Sequence, residues 1–185
     1  MRIFLQGELN VGKSTAIRKT LDILSAQRQV TLGGFFTWKS DEVPPRVYMK
    51  PAGKIPDGVT HCIAGWDPAA RRMVSDTKIF DSEGVRALRD CGGAQLMIMD
   101  ELGALESGAP AFRQAVLDTL AMDIPVIGVI RLGDIPWLNE LRRDTALTFY
   151  DVNKKNRDTL PRELAAILGE AIAKSNKELS TNHTR

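Results

Sequence analysis

Gly7-Glu8-Leu9-Asn10-Val11-Gly12-Lys13-Ser14-Thr15 follows the apolar run Ile3-Phe4-Leu5 and leads into Ile17, Leu21 and Leu24, spaced i, i+4, i+7. Strand, glycine-framed loop and helix is the setting in which this spacing makes a phosphate cradle. Successive backbone N–H groups of such a loop converge on phosphate oxygens, and the positive end of the following helix adds to them. Lys13 is placed to reach the β- and γ-phosphates, and the Ser14 hydroxyl to ligate Mg²⁺. Every residue from Gly7 to Thr15 is therefore a candidate nucleotide contact. Asn10 stands where glycine is common, and asparagine tolerates the positive φ that such a loop needs. Asn10 and bulkier neighbours inside the loop are expected to alter how closely it wraps phosphate.

A cradle of this kind works with a carboxylate at the end of a buried strand. Leu96-Met97-Ile98-Met99 is apolar throughout, the mark of a strand covered on both faces, and Asp100-Glu101 closes it. Asp100 is the candidate metal residue with Ser14, and Glu101 the candidate base for an attacking water. Glu106 has a weaker case beside them. Arg131 ends the apolar run Ile124–Ile130, and ligands of parallel sheets bind beyond the carboxyl ends of strands. It is a candidate for stabilising charge on the γ-phosphate, with a plain surface arginine as the alternative. Asn156 and Arg157 follow the next strand, where a base would project.

The same letters admit a second reading. Asp100-Glu101-Leu102-Gly103 fits a D-x-x-G switch, and Asn153-Lys154-Lys155-Asn156 approaches a guanine-reading N-K-x-D. Guanine recognition needs a carboxylate at the fourth place, and an amide offers one acceptor oxygen only. A guanine-specific switch is the minor reading.

Strands alternating with helices over the chain predict an α/β fold, three-layered, with a mainly parallel central sheet. Helices are expected near residues 82–89, 109–120, 134–143 and from Leu160, and further strands at 124–130 and 147–152. Residues 30–80 read as an insertion of β-hairpins within a single domain of residues 1–173, broken by Pro44-Pro45, Pro51-Ala52-Gly53 and Asp57-Gly58. Residues 174–185 read as a polar tail. The net charge of +2 gives no basic footprint for nucleic acid. Cys62 and Cys91 have no ligand-spaced partners and read as ordinary thiols. Neither a membrane span nor a signal-peptide core is visible, so the expected compartment is the cytoplasm.

Four stretches in order resemble the small P-loop nucleoside-triphosphatases first described from thermophiles and called cancer-related NTPase in humans. They are the phosphate loop, Gly34-Phe35-Phe36-Thr37, Asp100-Glu101-Leu102-Gly103-Ala104-Leu105-Glu106, and Val152-Asn153-Lys154-Lys155-Asn156-Arg157-Asp158. The resemblance implies an ASCE-class, RecA-like P-loop fold and slow Mg²⁺-dependent hydrolysis of several nucleoside triphosphates, ATP and GTP among them. It assigns phosphate and metal to Lys13 and Ser14, and the metal and base roles to Asp100 and Glu101. Two alternatives stand beside hydrolysis. One is phosphotransfer to a nucleoside or polynucleotide 5′-hydroxyl, the sole reading that brings in nucleic acid. There the hairpins would form an acceptor site, with Trp38, Trp66 or Tyr48 stacking instead of filling hairpin core. The other is a non-catalytic module gated by nucleotide, with a protein partner the sequence does not name.

Overall fold

The computed structural model describes residues 1–53 and 59–182, so the turn read at Asp57-Gly58 lies outside the described residues. Strand β1 (Arg2–Gln6) passes through the glycine-framed loop into α1 (Lys13–Gln27), which returns to β2 (Leu32–Lys39). Then come β3 (Arg46–Pro51), β4 (His61–Asp67) and β5 (Arg72–Ser75). A helical stretch runs from α2 (Thr77–Ile79) through a π turn at Phe80–Gly84 into α3 (Val85–Arg89). The chain continues through β6 (Leu96–Leu102), α4 (Pro110–Ala121), β7 (Val126–Ile130), α5 (Pro136–Arg143), β8 (Thr148–Asp151) and α6 (Leu160–Asn182).

Among the described residues eight strands form one sheet, in the order β5-β4-β3-β2-β6-β7-β1-β8. The five from β2 to β8 in that order pair in parallel, and β3, β4 and β5 extend the β2 side as an antiparallel meander. β7 separates β1 from β6, so the phosphate loop and the Asp100-Glu101 pair hang from strands with one strand between them. This is the ASCE arrangement that the resemblance implies.

Period-two alternation divides the core into two layers. Ile3 and Leu5 of β1, Leu96 and Ile98 of β6, and Ile127 and Val129 of β7 pack with Ile17 and Leu24 of α1 and Leu164 and Leu168 of α6. On the other face Phe4, Met97, Met99 and Ile130 meet Leu88 of α3, Phe112 and Val116 of α4, and Leu138 of α5. Among the described residues no helix is long and apolar enough to cross a membrane.

The structure differs from the sequence reading at three places. Gly33–Trp38, read as part of the hairpin insertion, belongs to β2 and pairs in parallel with β6. An alternating strand does not declare its partner, and here Gly34 lets the backbones approach: a Cβ on it would sit 1.9 Å from the Ile98 carbonyl oxygen. The helix expected at Ser82 starts at Thr77, because the Asp76 carboxylate accepts from the Lys78 and Ile79 N–H groups (3.0 and 3.4 Å). Finally, α6 continues past residue 173. The Ser175 hydroxyl donates to the Asp123 carbonyl (3.1 Å), and the Gln95 amide donates to Asn176 (3.2 Å), which ties these polar residues to the body.

Candidate functional site

The loop from Gly7 to Gly12 bends through left-handed backbone at three residues: Gly7 (φ 147°), Asn10 (φ 58°) and Gly12 (φ 110°). Gly7 is forced to be glycine twice over, since a Cβ there would also meet the Val152 carbonyl oxygen at 2.4 Å. Asn10 takes the positive φ that its place in the loop demands. Val11 is buried in the core beneath α1 and α6 and pins the loop from inside, whereas Glu8, Leu9 and Asn10 are exposed. No side chain caps the N-terminus of α1, and its first turn holds no acid. Its leading N–H groups and the positive end of its dipole are thus available to an anion.

Lys13 and Ser14 start that helix. The Lys13 ammonium donates to the Gly7 and Glu8 carbonyls (3.0 and 2.8 Å). Burial lowers its pKa from the ordinary lysine value, with Arg131 adding to the effect while Glu101 and Asp100 oppose it. The Ser14 hydroxyl donates to Asp100 Oδ1 at 2.8 Å, joining the start of α1 to β6. Asp100 is fully buried and its second oxygen, Oδ2, has no hydrogen-bond partner. Burial raises its pKa to about 6, against the Ser14 hydrogen bond and helped by the neighbouring Glu101 charge. A buried carboxylate oxygen left without a donor calls for a cation. Among the described residues no three His, Cys, Asp or Glu side chains cluster as a metal cage. One carboxylate and one hydroxyl suit a hard divalent ion that takes its remaining ligands from phosphate and water, as Mg²⁺ does.

Glu101 is held at both ends. Its N–H donates to the Thr37 hydroxyl of β2 (3.1 Å), and its Oε1 lies 3.7 Å from Arg131 Nη1. Glu106 folds back under the strand end, where its buried Oε2 accepts from the Gly103 N–H at 2.9 Å. The Trp137 indole of α5 donates to the Gly103 carbonyl at 2.9 Å. The turn after Glu101 therefore has a carboxylate on the N–H of Gly103 and an indole on its carbonyl.

Burial raises the Glu106 pKa from 4.5 to about 7. The folded value lies above the unfolded one, so folding takes up a proton in that window and stability falls as pH rises through it. Glu106→Gln removes this contribution. Between pH 5 and pH 8, urea midpoints should show the wild type losing on the order of 2 kcal/mol more than the variant, measured at both pH values.

Beyond β8, Asn156 and Arg157 occupy different surroundings. The Asn156 amide is tied into its own loop, donating to the Asp151 carbonyl (2.8 Å) and accepting from the Asn153 N–H (2.9 Å). Arg157 lines a cleft of about 290 Å³ with Asn10, Gly12, Thr15, Lys19 and Asp158. The structure thus brings Lys13, Ser14, Asp100, Glu101 and Arg131 to one place, with Arg157 flanking the loop. Two contributors escaped the sequence reading as individual residues. Thr37 lay within a quoted motif without a role, and Arg18, whose charge reaches Asp100, stands one helical turn after Ser14. The i, i+4 spacing of Ser14 and Arg18 was the signal for the second.

A family model described as NTPase matches residues 2–165. The nucleoside-triphosphatase THEP1 of Thermofilum pendens is 31% identical over 176 residues, covering 92% of this chain and 96% of that protein. The human cancer-related nucleoside-triphosphatase is 28% identical over 184 residues, covering 85% and 91%. The crystal structure of THEP1 from Aquifex aeolicus superposes with a TM-score of 0.73 at 19% identity, over 91% of this chain and 99% of that one.

Proposed function

The chain belongs to the NTPase family and hydrolyses nucleoside triphosphates, and from that premise we propose that it does so with Mg²⁺, with little regard for the base, through Glu101 as the general base. The observation that carries this reading is the Ser14–Asp100–Glu101 row: a hydroxyl bonded to a buried carboxylate with an orphaned oxygen, followed by a second carboxylate held at backbone and tip.

In this reading Lys13 exchanges its two carbonyl partners for β- and γ-phosphate oxygens, which the amides of residues 7–13 and the α1 N-terminus also face. Ser14 and Asp100 would hold the metal, and Mg²⁺ bound there would supply charge neutralisation for the phosphates. Glu101 orients a water and accepts its proton as the water oxygen bonds to the γ-phosphorus and the bond from that phosphorus to the β-γ bridging oxygen breaks. Arg131 steers the Glu101 carboxylate and stands ready for charge on the γ-phosphate. Thr37 fixes the backbone from which Glu101 projects. Arg157 lies against the nucleoside, where a guanidinium plane stacks on any base.

Indifference to the base rests on Asn156. Its amide is tied into its own loop, the oxygen accepting from the Asn153 N–H and the nitrogen donating to the Asp151 carbonyl. Its remaining donor and lone pair are fixed in direction by that loop and not free to turn toward a base edge. The test is phosphate release from ATP, GTP, CTP and UTP, each with Mg²⁺ and with EDTA. Rates of the same order for all four, abolished by the chelator, are expected. Activity confined to one base, or unaffected by EDTA, would overturn this reading of specificity or metal.

A further inference from the structure

A second cleft, of about 470 Å³, lies on the opposite side of the catalytic row from Arg157 and is lined by Arg18, Phe36, Trp38 and Lys50. Phe36 and Trp38 alternate along β2, and Lys50 and Tyr48 are their partners on β3, which puts all four on one face of the sheet. The Trp38 and Tyr48 rings stack at 5.8 Å with planes 23° apart. Both stay partly exposed, which fully enclosed hairpin core would not be. Arg18 and Lys50 are exposed, and neither side chain has a hydrogen bond or ion pair among the described residues. The cleft abuts the chemistry: Phe36 is the register partner of Asp100, and Thr37 between the two aromatics holds the Glu101 N–H.

Flat aromatic surface between exposed cations is how proteins hold a base and its phosphate without reading sequence. We propose that this cleft is a second nucleotide subsite, separate from the triphosphate site, which takes a nucleoside monophosphate unit with its base on Trp38 and its phosphate between Arg18 and Lys50. The unit is either free or at the end of a single strand. The local charge overrides the near-neutral total, since Arg18 and Lys50 face a cleft that no carboxylate lines. The inference rests on the triphosphate reading only in taking the loop site as already occupied.

The test fills the loop site with a saturating non-hydrolysable ATP analogue and Mg²⁺, then titrates wild type with two probes. One is TMP, followed by calorimetry. The other is a 5′-phosphorylated thymidine decamer carrying a 3′ dye, followed by anisotropy. Binding of at least one probe is expected, weakening as salt is raised and weakened about tenfold or more by Trp38→Ala and by Lys50→Glu. TMP binding as tightly as the decamer identifies a free nucleotide; binding of the decamer alone identifies a strand end. Lys50→Glu changes an exposed strand position, so it keeps the test valid if Trp38→Ala fails to fold. Phosphate release from ATP by both variants should match wild type. No binding of either probe, or binding indifferent to both substitutions, would overturn the subsite. Loss of phosphate release alongside binding would merge the cleft with the primary site and overturn the proposal equally. Absence of phosphate release from wild type is a separate result that touches the hydrolase reading alone.

Discussion

Glu101→Gln should slow phosphate release by about 10²- to 10⁴-fold while leaving nucleotide affinity near wild type. The substitution is nearly isosteric and keeps the backbone N–H that the Thr37 hydroxyl accepts. Its amide still has an oxygen to face Arg131. What it loses is the ability to take a proton from water at neutral pH, so the effect falls on kcat and not on binding. Phosphate release under saturating ATP and titration with a fluorescent nucleotide separate the two quantities. A variant that turns over at the wild-type rate would strike Glu101 from the base role and shift attention to substrate-assisted proton transfer. A variant that no longer binds nucleotide would show that its charge supports the site more than the reaction.

Gly34→Ala should cost about 4 kcal/mol or more, enough to remove most of the stability of a domain this size. The residue sits at φ 85°, where an L side chain is strained, and its added Cβ would lie 1.9 Å from the Ile98 carbonyl oxygen and 2.9 Å from the Ile98 nitrogen. Both are backbone atoms of the strand bearing Asp100, so no rotamer change relieves the contact. The chain can respond only by parting β2 from β6, and the Thr37 hydroxyl would leave Glu101 as it did so. Urea denaturation compares this variant with Gly92→Ala, where nothing lies within 4 Å of the added carbon, and which should stay within about 0.5 kcal/mol of wild type. A soluble Gly34→Ala protein with an unchanged midpoint would mean that β2 is held to β6 far more loosely than this contact requires.

The phosphate loop and the Asp100-Glu101 pair were legible because their chemistry is local: glycine at fixed φ, lysine and serine at fixed offsets, carboxylates at a strand end. The parallel pairing of β2 was not, since its alternation says which face is buried and nothing about which neighbour it takes. Val11 shows the same limit. It lies inside the motif and reads as a loop residue, yet it belongs to the core, a fact settled only when α6 packs over α1. Asn156 is the reverse case, where its place after β8 gave no warning that the loop ties up its amide. Gly34-Phe35-Phe36-Thr37 gains a physical meaning letter by letter. Glycine allows close approach, Phe35 fills the core against Phe112, Phe36 floors the second cleft, and threonine braces Glu101.

The sheet also ends with restraint. Its outermost strands, β5 and β8, span four residues each, and each carries a charge at one end, Arg72 and Asp151. An open edge is a template for another chain, and about 13 Å of it offers few backbone donors and acceptors to recruit one. Eight strands side by side would otherwise invite ribbon-to-ribbon polymerisation at high concentration. By stopping short at both margins the protein keeps its broad sheet a private structure, and leaves growth of the array without a seed.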